Sequence, residues 1–203
     1  MFTPAISGGA PETVVVDEFY MNPDDVRAFA LAQGFHEDTR YFRGKRSTTR
    51  YLFPGLKERF GELLGKKITK WEEYPANGVF QYCIGGDQTV FHSDLQQYAA
   101  IIYLTPDAPP DSGTRLLRSK ATKLRKVTPL TVARIGMELG QAEKLTYGDK
   151  LLDPTAWETV DSIGNVYNRL VLWHSQLIHA AGHYFGTNMN NGRLFQLFFF
   201  DAE

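Results

Sequence analysis

Apolar and polar positions change rhythm three times along this chain. Val14-Val15-Val16 ahead of Asp17 and Glu18 reads as a short strand. Asn22-Pro23-Asp24-Asp25 then predicts a helix start, with Asn22 as N-cap and Pro23 where its missing N–H costs nothing. Val26, Phe29 and Ala30 continue that helix, and Leu56, Phe60, Leu63 and Leu64 share one face of a second, closed by Gly65. From residue 79 onwards β-branched and aromatic residues dominate. Strands are predicted at 79–84, 89–91 and 98–105, with Gly85-Gly86-Asp87 as a turn between the first two. Along 98–104 one face carries Ala99, Ile101 and Tyr103 and the other Tyr98, Ala100, Ile102 and Leu104, so both faces are apolar, as in a strand covered on both sides.

Between 118 and 157 the strand rhythm lapses. Leu130, Val132, Ala133, Ile135 and Leu139 fit a helix only loosely, and the segment reads as an insertion. Strands return at 168–173 and 193–200, separated by His179 and a glycine- and asparagine-rich hairpin over 182–192. Helices followed by many short strands predict a mainly β fold with supporting helices, a double-stranded β-helix or jelly roll backed by the N-terminal helices. A plain α+β sheet is the alternative.

With 203 residues and 43% hydrophobic content, the chain suits one domain over 1–203, with 118–157 inserted. A net charge of −1 gives no field to collect nucleic acid or an anionic membrane. Basic clusters occur at Arg40, Arg43, Lys45, Arg46 and Arg50, and again over 115–126. They read as solvated faces or loops, and secondarily as holders of a substrate carboxylate or phosphate. Cys83 is the sole cysteine, so any metal must rely on imidazole and carboxylate rather than thiolate. Residues 1–11 lack the pattern of a signal peptide and no apolar run is long enough to span a bilayer, so a cytoplasmic location is expected.

The chemistry centres on His92-Ser93-Asp94. Five His and 23 acidic residues make one His-x-Asp/Glu expected in roughly every second chain of this composition, so the surroundings must carry the reading. Positions i and i+2 point to one side of a strand, and a His from a distant strand would complete a two-His, one-carboxylate iron site. His174, His179 and His183 compete for that place.

The order Val79 to Gly86, His92-Ser93-Asp94, Ile101 to Thr105, Ser112 to Leu116, Arg169 to Trp173, His179 and Arg193 to Asp201 resembles the successive strands of the prolyl-hydroxylase-like Fe(II)/2-oxoglutarate dioxygenases. The resemblance covers residues 79–118 and 157–201. It implies iron bound by His92, Asp94 and His179, with Arg193 paired to the distal carboxylate of 2-oxoglutarate through its planar guanidinium. It also implies Tyr103 as a donor to that carboxylate and Tyr82 as a second tyrosine of the cosubstrate pocket.

His179 and Arg193 stand fourteen residues apart, longer than the family's usual interval, and the 118–157 segment is longer than compact members carry. That insertion is read as a lid, a substrate wall or a plain elaboration. The implied activity is hydroxylation of a C–H bond in a peptide or small molecule, with release of succinate and carbon dioxide. Two rivals are a jelly-roll metal enzyme that does not use 2-oxoglutarate, and a non-catalytic jelly-roll binding module. The Phe-rich terminal strand also raises a homodimer.

Overall fold

A computed structural model describes residues 11–37 and 43–203; the stretch before Pro11, and Arg40 of the basic cluster, lie outside the described residues. Two antiparallel sheets face each other. The larger has eight strands, β1 (Thr13–Val16), β2 (Phe35–His36), β3 (Lys45–Arg50), β4 (Ile68–Lys70), β5 (Val79–Cys83), β6 (Tyr98–Tyr103), β9 (Leu170–His174) and β11 (Arg193–Ala202). The smaller is built from β7 (Thr114–Ser119), β8 (Trp157–Ile163) and β10 (His179–Ala181) in the order β10-β7-β8. This is the jelly roll expected from the pattern, with helices α1 (Pro23–Leu31) and α2 (Leu56–Leu64) laid under the larger sheet.

Alternation along each central strand sorts side chains between two cores. On β6, Tyr98, Ala100 and Ile102 join Phe60 and Leu56 of α2 and Ala30 of α1, while Ala99, Ile101 and Tyr103 face the smaller sheet. On β11, Phe198 and Phe200 stack with Phe60 and Trp71 on the helical side, and Phe195 and Leu197 turn inward. β11 is paired with β5 on one side and β6 on the other, and its Phe195, Phe198 and Phe200 are buried in the two cores. Gln196, buried among them, is satisfied by Tyr20 Oη at 2.5 Å and by the carbonyls of Tyr51 and Gly78.

Several local expectations are corrected. Residues 89–91 form no strand; an isolated bridge at His92 takes their place. Lys45–Arg50, read as part of a charged surface, is strand β3, paired with β5 at Lys45, Arg46 and Arg50, with the buried Ser47 Oγ accepting from Phe80 N at 3.0 Å in the irregularity between them. The 182–192 segment is not a hairpin: β10 pairs with β7 and β11 with β5 and β6, so it crosses from one sheet to the other. Asn191 Oδ1 accepts from the N–H groups of Thr187 and Asn188, and Gly186, at φ +74°, passes so close to Asn191 that a Cβ would meet its carbonyl at 2.1 Å. Asn22 holds the N-cap position of α1 as expected, but its side chain makes no capping hydrogen bond and its amide donates to Asp25 instead.

The insertion holds two short helices, α3 (Pro129–Arg134) and α4 (Leu139–Thr146), around a small core of Leu124, Val132 and Ala142. The basic residues of 115–126 are absorbed locally, Arg118 and Lys123 by Glu158 and Lys126 by Glu12. Among the described residues no helix is long and apolar enough to cross a membrane.

Candidate functional site

His92 and His179 exchange both backbone hydrogen bonds, 3.1 Å from His92 N and 2.8 Å from His179 N, and Asp94 N donates to Ser175 O at 2.9 Å. An antiparallel pair of this kind places its two side chains on one face. Asp94, two positions on from His92, joins them. His179 Nε2 lies 3.3 Å and His92 Nε2 3.6 Å from the Asp94 carboxylate, and the three ligand atoms fall within 4.8 Å of one another.

Each imidazole is oriented by its other nitrogen. His92 Nδ1 lies 3.2 Å from Val90 O and His179 Nδ1 2.8 Å from Leu177 O. Donation to those carbonyls puts the proton on Nδ1 and leaves the Nε2 lone pair facing the carboxylate, the tautomer a metal requires. Desolvation, followed by the neighbouring His179, pushes the His92 pKa down, which keeps it neutral. Burial alone would raise the Asp94 carboxyl, but the adjacent imidazoles of His179 and His92, with Arg46 beyond them, outweigh it and hold Asp94 below the usual range. Two imidazoles and one carboxylate are a donor set that suits a divalent first-row metal such as iron.

The competing histidines are elsewhere. His174 falls on the helical face of β9, ring to ring with Tyr98 at 5.6 Å, and His183 sits by Asp111 at 3.7 Å. The structure thus brings His179, not these, to His92 and Asp94.

The triad lies in a cavity of about 580 Å³ between the sheets, which Arg193 also lines. Arg193 is 3% exposed. Its Nε donates to Ser112 O at 2.8 Å and Nη2 to Gly113 O at 3.3 Å, while its guanidinium lies over the rings of Phe195 at 4.7 Å and Tyr103 at 5.2 Å. Among the described residues no carboxylate forms an ion pair with it. A buried cation held by neutral groups alone is costly and is matched by an incoming anion. Tyr103, fully enclosed beside it, shares a 2.8 Å hydrogen bond with Thr114 Oγ1.

Tyr82 is not brought to the cavity. Alternation along β5 sends Val79, Gln81 and Cys83 inward and Phe80 and Tyr82 to the helical side, where Tyr82 packs edge-on against Phe35 at 5.1 Å. The tyrosine that does line the cavity is Tyr184, whose phenol is pushed up by burial and by the adjacent Cys83 thiol. Sequence reasoning missed it because it lies in an irregular crossing, where period carries no information. Burial also pushes Cys83 up to about 11, so its thiol stays neutral.

Two further groups complete the walls. Arg46 on β3 donates through Nε to Gln81 Oε1 at 2.7 Å; desolvation lowers its pKa to about 10, with Asp94 opposing, so it stays charged at neutral pH. The end of the insertion supplies Gly148, Asp149, Leu151 and Leu152. Phe91 N donates to Leu151 O at 2.8 Å, and Tyr147 Oη and Ser93 Oγ are 2.7 Å apart, so the insertion is tied to the His-x-Asp segment itself. It forms a wall of the cavity.

Solved structures share this jelly-roll fold at low sequence identity. HygX from Streptomyces hygroscopicus, crystallised with nickel, 2-oxoglutarate and hygromycin B, is 11% identical over 94% of this chain and 82% of its own, with a TM-score of 0.56. A prolyl hydroxylase from Trichoplax adhaerens, in complex with a hypoxia inducible factor oxygen degradation domain peptide, is 14% identical over 94% and 84%, at 0.50. The chain belongs to the DUF6445 family, a family of unknown function whose model matches residues 86–200. No curated relative matches the sequence.

Proposed function

We propose that this protein is an Fe(II)- and 2-oxoglutarate-dependent oxygenase that hydroxylates a C–H bond of a small-molecule or peptide substrate. The observation that carries the reading is Arg193, a buried cation without a carboxylate partner among the described residues, opening on the same cavity as two tautomer-fixed imidazoles and an aspartate. A binding module has no need of both features together, and a metal enzyme that does not use 2-oxoglutarate has none for Arg193.

Bound at His92, Asp94 and His179, ferrous iron with 2-oxoglutarate supplies the oxidative chemistry, consuming O₂ and releasing succinate and carbon dioxide. The chain's own residues bind, orient and shield. Val90 and Leu177 carbonyls hold the imidazoles in register. Arg193, braced by Ser112 and Gly113, would receive the distal carboxylate of the cosubstrate in a charge-assisted contact. Tyr184 lines the cavity near Arg193, whereas Tyr103 is enclosed against the guanidinium with its phenol on Thr114. Leu151, Leu152 and Val90 keep the mouth apolar and limit water.

The test is succinate release by the purified protein with Fe(II), ascorbate and 2-oxoglutarate under air, with and without candidate substrates. Release that stops with chelator, returns with Fe(II) and is abolished in His179→Ala is expected. Protein that neither binds nor consumes 2-oxoglutarate under these conditions refutes the reading.

A further inference from the structure

The insertion is tied to the candidate metal segment twice, and one tie reaches between the ligands. Phe91 N donates to Leu151 O at 2.8 Å, a backbone contact just ahead of His92. The other is the 2.7 Å hydrogen bond between the hydroxyls of Tyr147 and Ser93. His92 and Asp94 line the cavity, so alternation along the extended chain turns Ser93, between them, away from it and towards the insertion. His92 is held through its backbone by His179, and Asp94 through its N–H by Ser175 O. Among the described residues, the hydrogen bonding of Ser93 is to Tyr147 alone.

Tyr147 is aimed by what surrounds it. It closes α4, with its N–H on Glu143 O at 2.8 Å and its carbonyl accepting from Lys150 N at 2.7 Å. Its ring lies 6.2 Å from that of Trp157, which stacks on Phe91 at 5.9 Å and donates through Nε1 to Lys150 O at 3.1 Å. Phe91 and Trp157 are buried, so this aromatic column belongs to a packed core. A phenol fixed at its backbone and along its ring loses little freedom in bonding to Ser93. Directly after Tyr147, Gly148, Asp149, Leu151 and Leu152 line the cavity. One side chain therefore joins the link between two metal ligands to the segment that forms a wall.

We propose that Tyr147 is a positioning residue: its hydroxyl, through Ser93, sets the segment that carries His92 and Asp94, and couples ion binding there to the order of the 148–152 wall. Such coupling is reciprocal, so the wall held in place favours the ion and the ion in place holds the wall. That the ion serves an oxygenase rests on the reading above. The coupling needs only a triad that binds a divalent ion.

The test titrates the metal-free full chain with Co(II) under argon, by calorimetry and by the visible absorption of the bound ion. His179→Ala, which lacks a ligand, identifies the part of each signal that belongs to the triad. Tyr147→Phe keeps the ring and removes the hydroxyl; Ser93→Ala removes the other partner. Each should weaken Co(II) binding at least about threefold, within the roughly two- to tenfold that one net hydrogen bond supplies, and shift the absorption bands. The double variant should be no weaker than the poorer single one, because both substitutions delete one contact. Hydrogen exchange over 147–152 should slow when Co(II) is added, and slow less in Tyr147→Phe. A hydroxyl that served the fold alone would lower the melting temperature and leave affinity, bands and the ion-dependent part of exchange unchanged.

Losses under about threefold in both single variants, additive losses in the double one, equal slowing of exchange with and without the hydroxyl, or no Co(II) at the triad overturns the proposal. Should Ser93→Ala not fold, Tyr147→Phe decides through affinity and exchange. Weakened Co(II) binding in both variants, in a protein that leaves 2-oxoglutarate unconsumed with Fe(II), upholds the coupling and counts against the oxygenase alone. Unchanged Co(II) affinity in a protein that consumes 2-oxoglutarate does the reverse.

Discussion

Replacing Arg193 with methionine separates holding the fold from holding the cosubstrate. The variant loses two hydrogen bonds to the carbonyls of Ser112 and Gly113 and two ring contacts. At about 1 kcal/mol per bond and ~0.5–2 kcal/mol per cation–π contact, that is a loss of a few kcal/mol. Against it stands the desolvation of a guanidinium only 3% exposed, several kcal/mol that methionine does not incur. Folding stability should therefore move by no more than about 2 kcal/mol. Cosubstrate binding has no such compensation: losing one partner of a buried charge pair costs ~2–5 kcal/mol, roughly 30-fold to several thousandfold in Kd.

The two effects are read together in thermal melts with Mn(II), with and without 2-oxoglutarate at a hundred times its Kd. Ligand at that level adds about 2.7 kcal/mol, and at ~2–4 °C per kcal/mol for a chain of this length the unaltered protein should gain ~5–11 °C. Arg193→Met should melt near the unaltered protein without ligand and gain at most ~3 °C with it. An undiminished gain in the variant, or no gain in the unaltered protein, would refute the reasoning.

The corrected tyrosine assignment is tested by a pair: Tyr82→Phe, on the helical side of the sheet, should leave 2-oxoglutarate affinity within about twofold, whereas Tyr184→Phe should weaken it roughly tenfold or more, measured by anaerobic calorimetry. Gly113→Ala should destabilise the protein by about 1–3 kcal/mol in urea titrations and loosen Arg193, because its Cβ would sit 1.9 Å from Ile163 O in the loop whose carbonyls hold the guanidinium. His174 gives a pH dependence. Burial first, then Lys126 and Lys66, depress its pKa despite Glu12, so below about pH 6.5 the unfolded chain takes up a proton that the folded one refuses. Stability present above that pH is lost as pH falls towards the folded value; His174→Leu should flatten this slope in denaturation curves at pH 7.5 and 5.5, and an unchanged slope would remove His174 from the account.

Period and spacing made much of the architecture legible. Both apolar faces of residues 98–104 identified a strand covered on both sides, since a period of two repeats whatever the strand's neighbours are. His92-x-Asp94 was legible for the same reason: two positions on an extended chain share a face. Tyr82 was misplaced because its face depends on the register of β5 with β3 and β11, which a segment by itself does not contain. Lys45–Arg50 looked like solvated charge because its partners on β5 lie 29 to 37 residues away.

Local order in the amino-acid sequence determined the strand-rich fold, the helices that back it and the types of residue able to hold a metal and an acid. Only the tertiary structure chose His179 over His174 and His183, brought Tyr184 rather than Tyr82 to the cavity, and turned the insertion into one of its walls. The physical reason is that side-chain direction along a strand repeats within the chain, whereas which strands meet, and in what register, is decided by burial and hydrogen bonding between segments far apart in it.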